Sequence, residues 1–211
     1  MPSQNTDSFA WPDSSLEFSC DDPMADTNSA AFCCLDWMRN HCAADGVLAY
    51  YYSRAADKII EHRLSLPQSN SDDGLFMPVT YLYRHSIELR LKELIRFFIS
   101  TGELAESSKL EKLLQRSHSL SKLWIRIEPI IRKWAPYNDD PAAVHVSSFL
   151  ERLDACDPGG TSMRYSRLSN RSLSSDLFPD RVDLVKLRDS VRRVNNFLEG
   201  SLDYASGLHN Q

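Results

Sequence analysis

The sequence predicts an all-α fold, a five- to six-helix up-and-down bundle that follows a flexible acidic N-terminal tail. Glycine is scarce, at seven of 211 residues, and runs of Val, Ile and Thr are few, which disfavours a sheet. The stretch 78–101 contains no glycine and no proline after its first residue. Apolar residues in this and the other long segments recur with the period of a helix, which completes the case for an all-α protein.

Charge and composition predict how the chain is divided. Residues 1–30 hold six acidic residues and no Lys or Arg, although the formal charge of the whole chain is only −5. We therefore expect a flexible acidic tail over 1–28 and a single bundle domain over 29–206, whose apolar content suffices for a core. No run reaches the ~20 apolar residues of a membrane span. The N-terminal residues lack the basic region that is typical of a secretory signal.

The five cysteines, an odd number, indicate a reducing cytoplasm. Cys34, His41 and Cys42 could share one helix face, but the two-residue spacing typical of zinc ligands is absent. Ordinary buried thiols are therefore the favoured interpretation, and we expect neither a metal nor a cofactor.

Helical periodicity and the positions of proline and glycine predict the secondary-structure elements in order. Pro78 and Pro141 lie where a first-turn proline costs little, Gly102 is typical of a helix C-terminus, and Pro129 is expected to kink or interrupt its helix. The predicted helices cover residues 30–43, 45–64, 78–101, 107–116, 119–134, 141–156 and 180–204. The segments 65–77 and 157–179, rich in turn-forming residues, are expected to be irregular.

The central helix, 78–101, carries an unusual arginine. With residues placed about 100° apart, one apolar arc forms, and it consists of Tyr83, Ile87, Leu91, Leu94, Ile95 and Phe98. Arg84 lies inside that arc, Glu88 follows one turn later at its edge, and His85 and Lys92 flank the same edge. Because an arginine keeps its charge, it requires a carboxylate or a wet cleft. The favoured interpretation is a structural ion pair with Glu88, and the alternative is a cleft that binds phosphate or another anion.

Two further places carry candidate binding residues. His118 immediately precedes a predicted helix start, where it either fixes the loop by a hydrogen bond or faces a ligand. Arg164, Arg167 and Arg171 are interleaved with Tyr165, a weak signal for phosphate or nucleic acid. A surface loop packed over the bundle is the alternative interpretation of that segment.

Three motifs together resemble a group of bacterial HEPN-like proteins: PVTYLYRHSIELRLKELI at 78–95, SHSLSKLW at 117–124 and SMRYSR at 162–167. The resemblance covers roughly residues 45–204. It implies a bundle that forms a homodimer or docks on a partner protein and belongs to toxin–antitoxin or phage-defence loci. Many HEPN proteins are metal-independent ribonucleases in which a histidine follows an arginine after four to six residues. None of the six histidines fits that spacing, and the adjacent Arg84 and His85 project about 100° apart.

The sequence thus favours a non-catalytic HEPN-like binding module of a bacterial defence or stress system. Its polar pocket would bind a nucleotide or RNA through Arg84, Glu88, Lys92, His118, Arg164 and Tyr165. The first alternative is a metal-independent ribonuclease in which His85 is the general acid or base and Arg84 stabilises phosphate charge. Arg164 or His118 would complete that site from elsewhere in the fold. The second alternative is a purely structural helical protein.

Overall fold

The computed structural model describes residues 45–66, 70–134, 141–157, 159–165 and 173–209. Six α-helices lie in these ranges: α1 (Asp45–Ser65), α2 (Phe76–Ser100), α3 (Ser108–Arg116), α4 (Leu120–Trp134), α5 (Pro141–Cys156) and α6 (Leu184–His209). The described ranges contain no β-strand, and the predicted all-α class is confirmed. The expected tail over 1–28 and the helix predicted over 30–43 lie outside the described residues.

Helix α2 is the central element of the described chain. It packs against α1, α4 and α6 and against a 3-10 turn at Ser162–Arg164. All six residues of its predicted apolar arc are fully buried, so the helix register derived from the sequence is confirmed. Burial on this scale makes α2 a rigid support for the polar side chains at the edge of its arc.

Side-chain contacts define the directions of α1 and α6 relative to α2. Helix α1 is antiparallel to α2, since Asp45 near its start pairs with Arg96 and Asp57 accepts a hydrogen bond from Tyr83 at 2.6 Å. Helix α6 is parallel to α2, since the Arg90 guanidinium lies 3.2 Å from the Glu199 carboxylate. The hydrogen bond from Asn195 to Ser86, at 3.3 Å, also indicates that the two helices are parallel.

Helix α4 begins beside α2, since the carbonyl of His118, two residues before its start, accepts a hydrogen bond from Arg84. Ser107 caps α3 by accepting a hydrogen bond from the Leu110 N–H at 3.2 Å. Helix α5 is antiparallel to α4, since the Trp124 indole donates to Ser147 at 2.7 Å and the Leu120 N–H donates to Asp154 at 3.0 Å. The end of α5 therefore lies at the start of α4, which places Asp154 near α2.

The observed helix ends match the predicted ones within a few residues. Helix α2 begins two residues before Pro78, because a 3-10 turn at Asn70–Leu75 leads directly into it. Gly102 follows its end with φ of +78°, as a C-terminal glycine should. Helix α6 begins at Leu184 because Asp183 caps it, accepting from the Val185 and Lys186 N–H groups at 2.9 and 3.0 Å.

Of the two expectations for Pro129, a kink or an interruption of its helix, the interruption is wrong. Helix α4 continues through Pro129 without interruption, because the proline lies on the exposed face where water can solvate the carbonyl it frees. On α1 the buried residues include Ala49, Ala56 and Ile60, whereas Tyr51 and Ala55 are exposed. Small residues allow α1 to lie close to α2, and the side chains of Tyr50 and Tyr51 are exposed to solvent.

None of the helices in the described part of the chain combines the length and apolar character needed to cross a membrane.

Candidate functional site

Arg84 lies at the centre of a buried network of charges. Its side chain is 2% exposed, and its guanidinium approaches three carboxylates. The nitrogen–oxygen distances are 3.4 Å to Glu88, 3.2 Å to Asp154 and 3.5 Å to Asp157. The same guanidinium donates hydrogen bonds to the main-chain carbonyl of His118 and, at 3.1 Å, to that of Asp157. The burial and the Glu88 pair expected from the helix register are both present.

Asp154 joins this network to the start of α4. One carboxylate oxygen accepts from the Leu120 N–H at 3.0 Å, and the other accepts from the Ser119 hydroxyl at 2.6 Å and the Ser121 N–H at 3.3 Å. The first N–H groups of a helix have no partner within the helix and attract a carboxylate. Asp154 therefore caps α4 from a neighbouring helix, and Arg84 neutralises its charge.

Asp157 holds the turn that follows α5 against Arg84. It is fully buried, and its Oδ1 accepts from the N–H groups of Thr161 and Ser162 at 2.8 and 2.7 Å. Its Oδ2 faces Arg84 Nε at 3.5 Å, an ion pair without a hydrogen bond. Gly160 completes this turn with φ of +66°, a conformation that favours glycine.

A second set of contacts surrounds the Glu88 carboxylate, on the side of the network that faces solvent. It is 3% exposed, and its Oε1 lies 2.8 Å from Lys92 Nζ and 3.0 Å from His118 Nδ1. Its Oε2 lies 3.9 Å from His85 Nδ1. Burial of the carboxyl raises its pKa, but contacts with His85, Lys92 and His118 outweigh that effect and lower the pKa of Glu88 from 4.5 to about 2. Glu88 is therefore ionised at neutral pH, and it holds the His118 ring at hydrogen-bonding distance, while His85 lies farther away.

This lowered pKa makes Glu88 a source of acid sensitivity. Its contribution to stability, about 3 kcal/mol, is present above pH 4.5 and is lost as the pH falls toward 2. We expect Glu88→Gln to flatten the fall in unfolding free energy over this interval, measured by urea denaturation at successive pH values. Glu151→Gln, at an exposed position on α5, is the control and should keep the wild-type slope. If the unfolding free energy of Glu88→Gln fell with pH as steeply as that of the wild type, Glu88 would not be the source of the acid sensitivity.

A ladder of aromatic rings and one guanidinium, which we call the cation–aromatic ladder, leads from Glu88 to the surface. It consists of Tyr52, His85, Tyr81, Arg164 and Tyr165. The Tyr52 and His85 rings meet edge to face at 4.5 Å, and the Tyr81 and His85 rings are parallel with centroids 5.8 Å apart. The Arg164 guanidinium lies 5.9 Å from the Tyr81 centroid and 6.0 Å from that of Tyr165. Arg164 and Tyr165 are exposed, so the ladder ends at solvent.

The structure brings every described candidate residue into one continuous region. The residues Arg84, Glu88, Lys92, His85 and His118 form a contact cluster around the Glu88 carboxylate. Arg164 and Tyr165 join this cluster through Tyr81 and His85. Arg167 and Arg171 lie outside the described residues.

Sequence reasoning missed four residues of this region. Tyr81 precedes His85 by four residues, so helical spacing could have placed both on one face. Asp154 and Asp157 end α5 with a spacing of three, before a Pro-Gly-Gly turn signal that could have marked them. Tyr52 comes from α1, and no local pattern indicates that it contacts His85.

The balance of charges separates structural cations from available ones. The carboxylates of Glu88, Asp154 and Asp157 outnumber the two buried cations, Arg84 and Lys92. These cations are therefore compensated within the protein. The geometry favours a structural role for Arg84 over ligand binding or catalysis, and it leaves the exposed Arg164 guanidinium to meet an anion.

Among the residues that the structure describes, no three His, Cys, Asp or Glu side chains are grouped as metal ligands would be. Cys34, His41 and Cys42 lie outside these residues. The Cys156 thiol, near the end of α5, forms no disulfide with any described residue.

No protein-family model, curated protein or solved structure matches this chain. Function is therefore inferred from the residues of the site and their geometry.

Proposed function

We propose that the chain is a non-catalytic binding module that holds a nucleotide or a single-stranded RNA on the cation–aromatic ladder. The observation that carries this proposal is the series of rings His85, Tyr81 and Tyr165, with the Arg164 guanidinium between the two tyrosines. Single-stranded nucleic acids are bound by aromatic rings and guanidinium planes on which bases stack, together with cations that meet the backbone. This ladder supplies both kinds of contact on one surface.

The ladder and the buried network have different roles in this proposal. Tyr165 is 62% exposed and offers a ring face to a base, while Arg164 lies beside it and meets a phosphate. His118 is 44% exposed and adds a hydrogen-bonding group near the Glu88 carboxylate. Arg84 and Glu88 bind no ligand directly but fix the position of His118. A rigid support reduces the entropy that a ligand must overcome on binding.

The biological setting that we propose rests on the resemblance of the three motifs to HEPN-like proteins. In that setting the module is cytoplasmic, forms a homodimer or docks on a partner protein, and serves a bacterial defence or stress system. The all-α fold around α2 is compatible with this placement. Copurification of the full chain with its bound nucleic acid or protein, identified by mass spectrometry, tests it.

Removing the exposed end of the ladder is expected to weaken RNA binding by about 10- to 100-fold, since one stacked base contributes about 1–3 kcal/mol. The variant is Arg164→Ala/Tyr165→Ala, and binding of a fluorescein-labelled oligouridine is measured by fluorescence anisotropy. Arg193→Ala/Tyr204→Ala, which removes an exposed arginine and tyrosine from α6, is the matched control. Equal affinities in all three proteins, or no RNA binding by the wild type, would refute the proposal and favour a purely structural protein.

One observation favours a ribonuclease as the second candidate. His118 and His85 approach the two oxygens of the same Glu88 carboxylate, at 3.0 and 3.9 Å. Two histidines beside one bound phosphate could act as general base and general acid, and Arg164 could stabilise the developing charge. This arrangement differs from the sequence hypothesis in one respect, since Arg164 replaces the buried Arg84 as the group that stabilises phosphate charge.

Cleavage of oligouridine in EDTA distinguishes the two candidates. The ribonuclease predicts turnover by the wild type and a loss of about 100-fold or more in both His85→Ala and His118→Ala. The binding module predicts no turnover by any of the three proteins while the wild type still binds the RNA.

A further inference from the structure

A second surface feature lies apart from the ladder and shares no residue with it. A groove of about 580 Å³ runs between the start of α2, the second half of α5 and the segment 178–190. Three phenylalanines, Phe76, Phe149 and Phe178, come from these three parts of the chain, and the Phe76 and Phe178 rings meet edge to face at 5.0 Å. The groove is thus a largely apolar channel built by parts distant in sequence.

Basic residues line the rim of this groove. Arg152, Arg181 and Lys186 are exposed there, and Asp183 is the one acidic residue among the described groups that line the groove. The Asp183 carboxylate already accepts two N–H groups at the start of α6. Within the described part of the chain, neither Arg181 nor Lys186 forms an ion pair. A positive rim on a chain with a net charge of −5 indicates an acidic occupant.

The size of the groove indicates a small molecule rather than a protein. Its volume falls within the range of about 300–1,000 Å³ that small-molecule sites occupy. Fifteen residues line it, fewer than the roughly 20–30 per side of a standard protein interface. The apolar wall with a basic edge matches a molecule that has one long apolar part and one acidic end.

We propose that this groove binds a single-chain amphiphilic anion. Its hydrocarbon chain lies against Phe76, Phe149 and Phe178, and its carboxylate or phosphate head lies at Arg181 and Lys186. The Cys156 thiol adds no anion to the groove at neutral pH, because burial and the nearby Asp157 raise its pKa and keep it protonated.

The test uses the full chain and a fluorescent fatty acid, 11-(dansylamino)undecanoate, whose emission rises in an apolar site. We expect saturable binding that dodecanoate and dodecyl phosphate displace, and the stronger competitor identifies the head group. The variant Arg181→Glu/Lys186→Glu should weaken dodecanoate at least tenfold, since reversal replaces attraction by repulsion. Dodecanol, which has the same chain without a charge, should bind the wild type and this variant equally.

Two further variants separate this site from general surface binding. Val182→Asp places a charge on the groove wall at an exposed position, which the fold should tolerate, and is expected to weaken both dodecanoate and dodecanol. Lys109→Glu/Lys112→Glu reverses two exposed charges on α3 and should change neither affinity. The proposal is overturned if dodecanoate does not bind saturably, if the rim and α3 variants behave alike, or if an acidic peptide displaces the probe where dodecanoate fails.

Discussion

Replacing Arg84 with methionine is expected to lower the free energy of unfolding by about 3–5 kcal/mol, the cost of breaking a buried ion network by removing one partner. The substitution leaves Asp157, fully buried, and Glu88, 3% exposed, without the cation that faces them both. It also removes the donor that joins α2 to the carbonyls of His118 and Asp157. Urea denaturation of the full chain at neutral pH measures the effect.

The matched control for this substitution is Arg132→Met on α4. Arg132 pairs with Glu128 at 2.8 Å, but its side chain is 39% exposed. An exposed pair of this kind contributes about 1 kcal/mol or less. Arg84→Lys should fall between Arg84→Met and the wild type, because it keeps the charge but loses the planar fork. Equal losses for Arg84→Met and Arg132→Met would show that Arg84 does not hold the fold together.

Gly160→Ala is expected to lower the unfolding free energy by about 3 kcal/mol, from left-handed backbone strain together with a clash. Gly160 has φ of +66°, and a methyl group there would lie 2.6 Å from His118 Cβ and 3.1 Å from Arg84 Nη1. Because His118 Cβ is attached to the backbone that accepts from Arg84, relief of the clash would displace that acceptor. Thermal and urea unfolding measure the loss.

Gly102→Ala provides the comparison for this second substitution. Gly102 also has a positive φ, +78°, but open space surrounds the position of the added methyl group. Only the backbone strain applies there, so we expect a loss of about 1 kcal/mol. If both alanine variants lost the same stability, the turn at Gly160 would not be closely packed against Arg84.

The separation of the two groups of polar residues explains how the fold could support binding. The buried network of Arg84, Asp154 and Asp157 fixes the start of α4 and the end of α5 against α2. His85 and Arg164 stand at the edge of that network, on elements that it holds in place. Binding groups on a rigid support keep their geometry before the ligand arrives.

The position of Arg84 was predictable because it depends on a regular period. One helix 25 residues long, without an internal glycine, fixes the direction of every side chain from the register alone. The apolar arc, the burial of Arg84 and its contact with Glu88 all follow from that register. Even Lys92, four residues after Glu88, was predicted at the correct edge of the helix.

The remaining partners were not predictable because they depend on tertiary packing. Asp154 and Asp157 reach Arg84 across 70 and 73 residues of sequence, and nothing local specifies that α5 ends there. Tyr52 of α1 contacts His85 of α2, and no pattern local to either helix indicates that contact. Periodicity gives the face of one helix, and only packing gives its neighbours.

Photo-crosslinking tests the role of the ladder most directly. A 4-thiouridine oligonucleotide is irradiated with the full chain, and the attached residues are identified by mass spectrometry. The proposal predicts crosslinks at Tyr165, Tyr81 or His85, which disappear when unlabelled oligouridine competes. Crosslinks confined to other surfaces, or none at RNA concentrations that saturate binding, would contradict it.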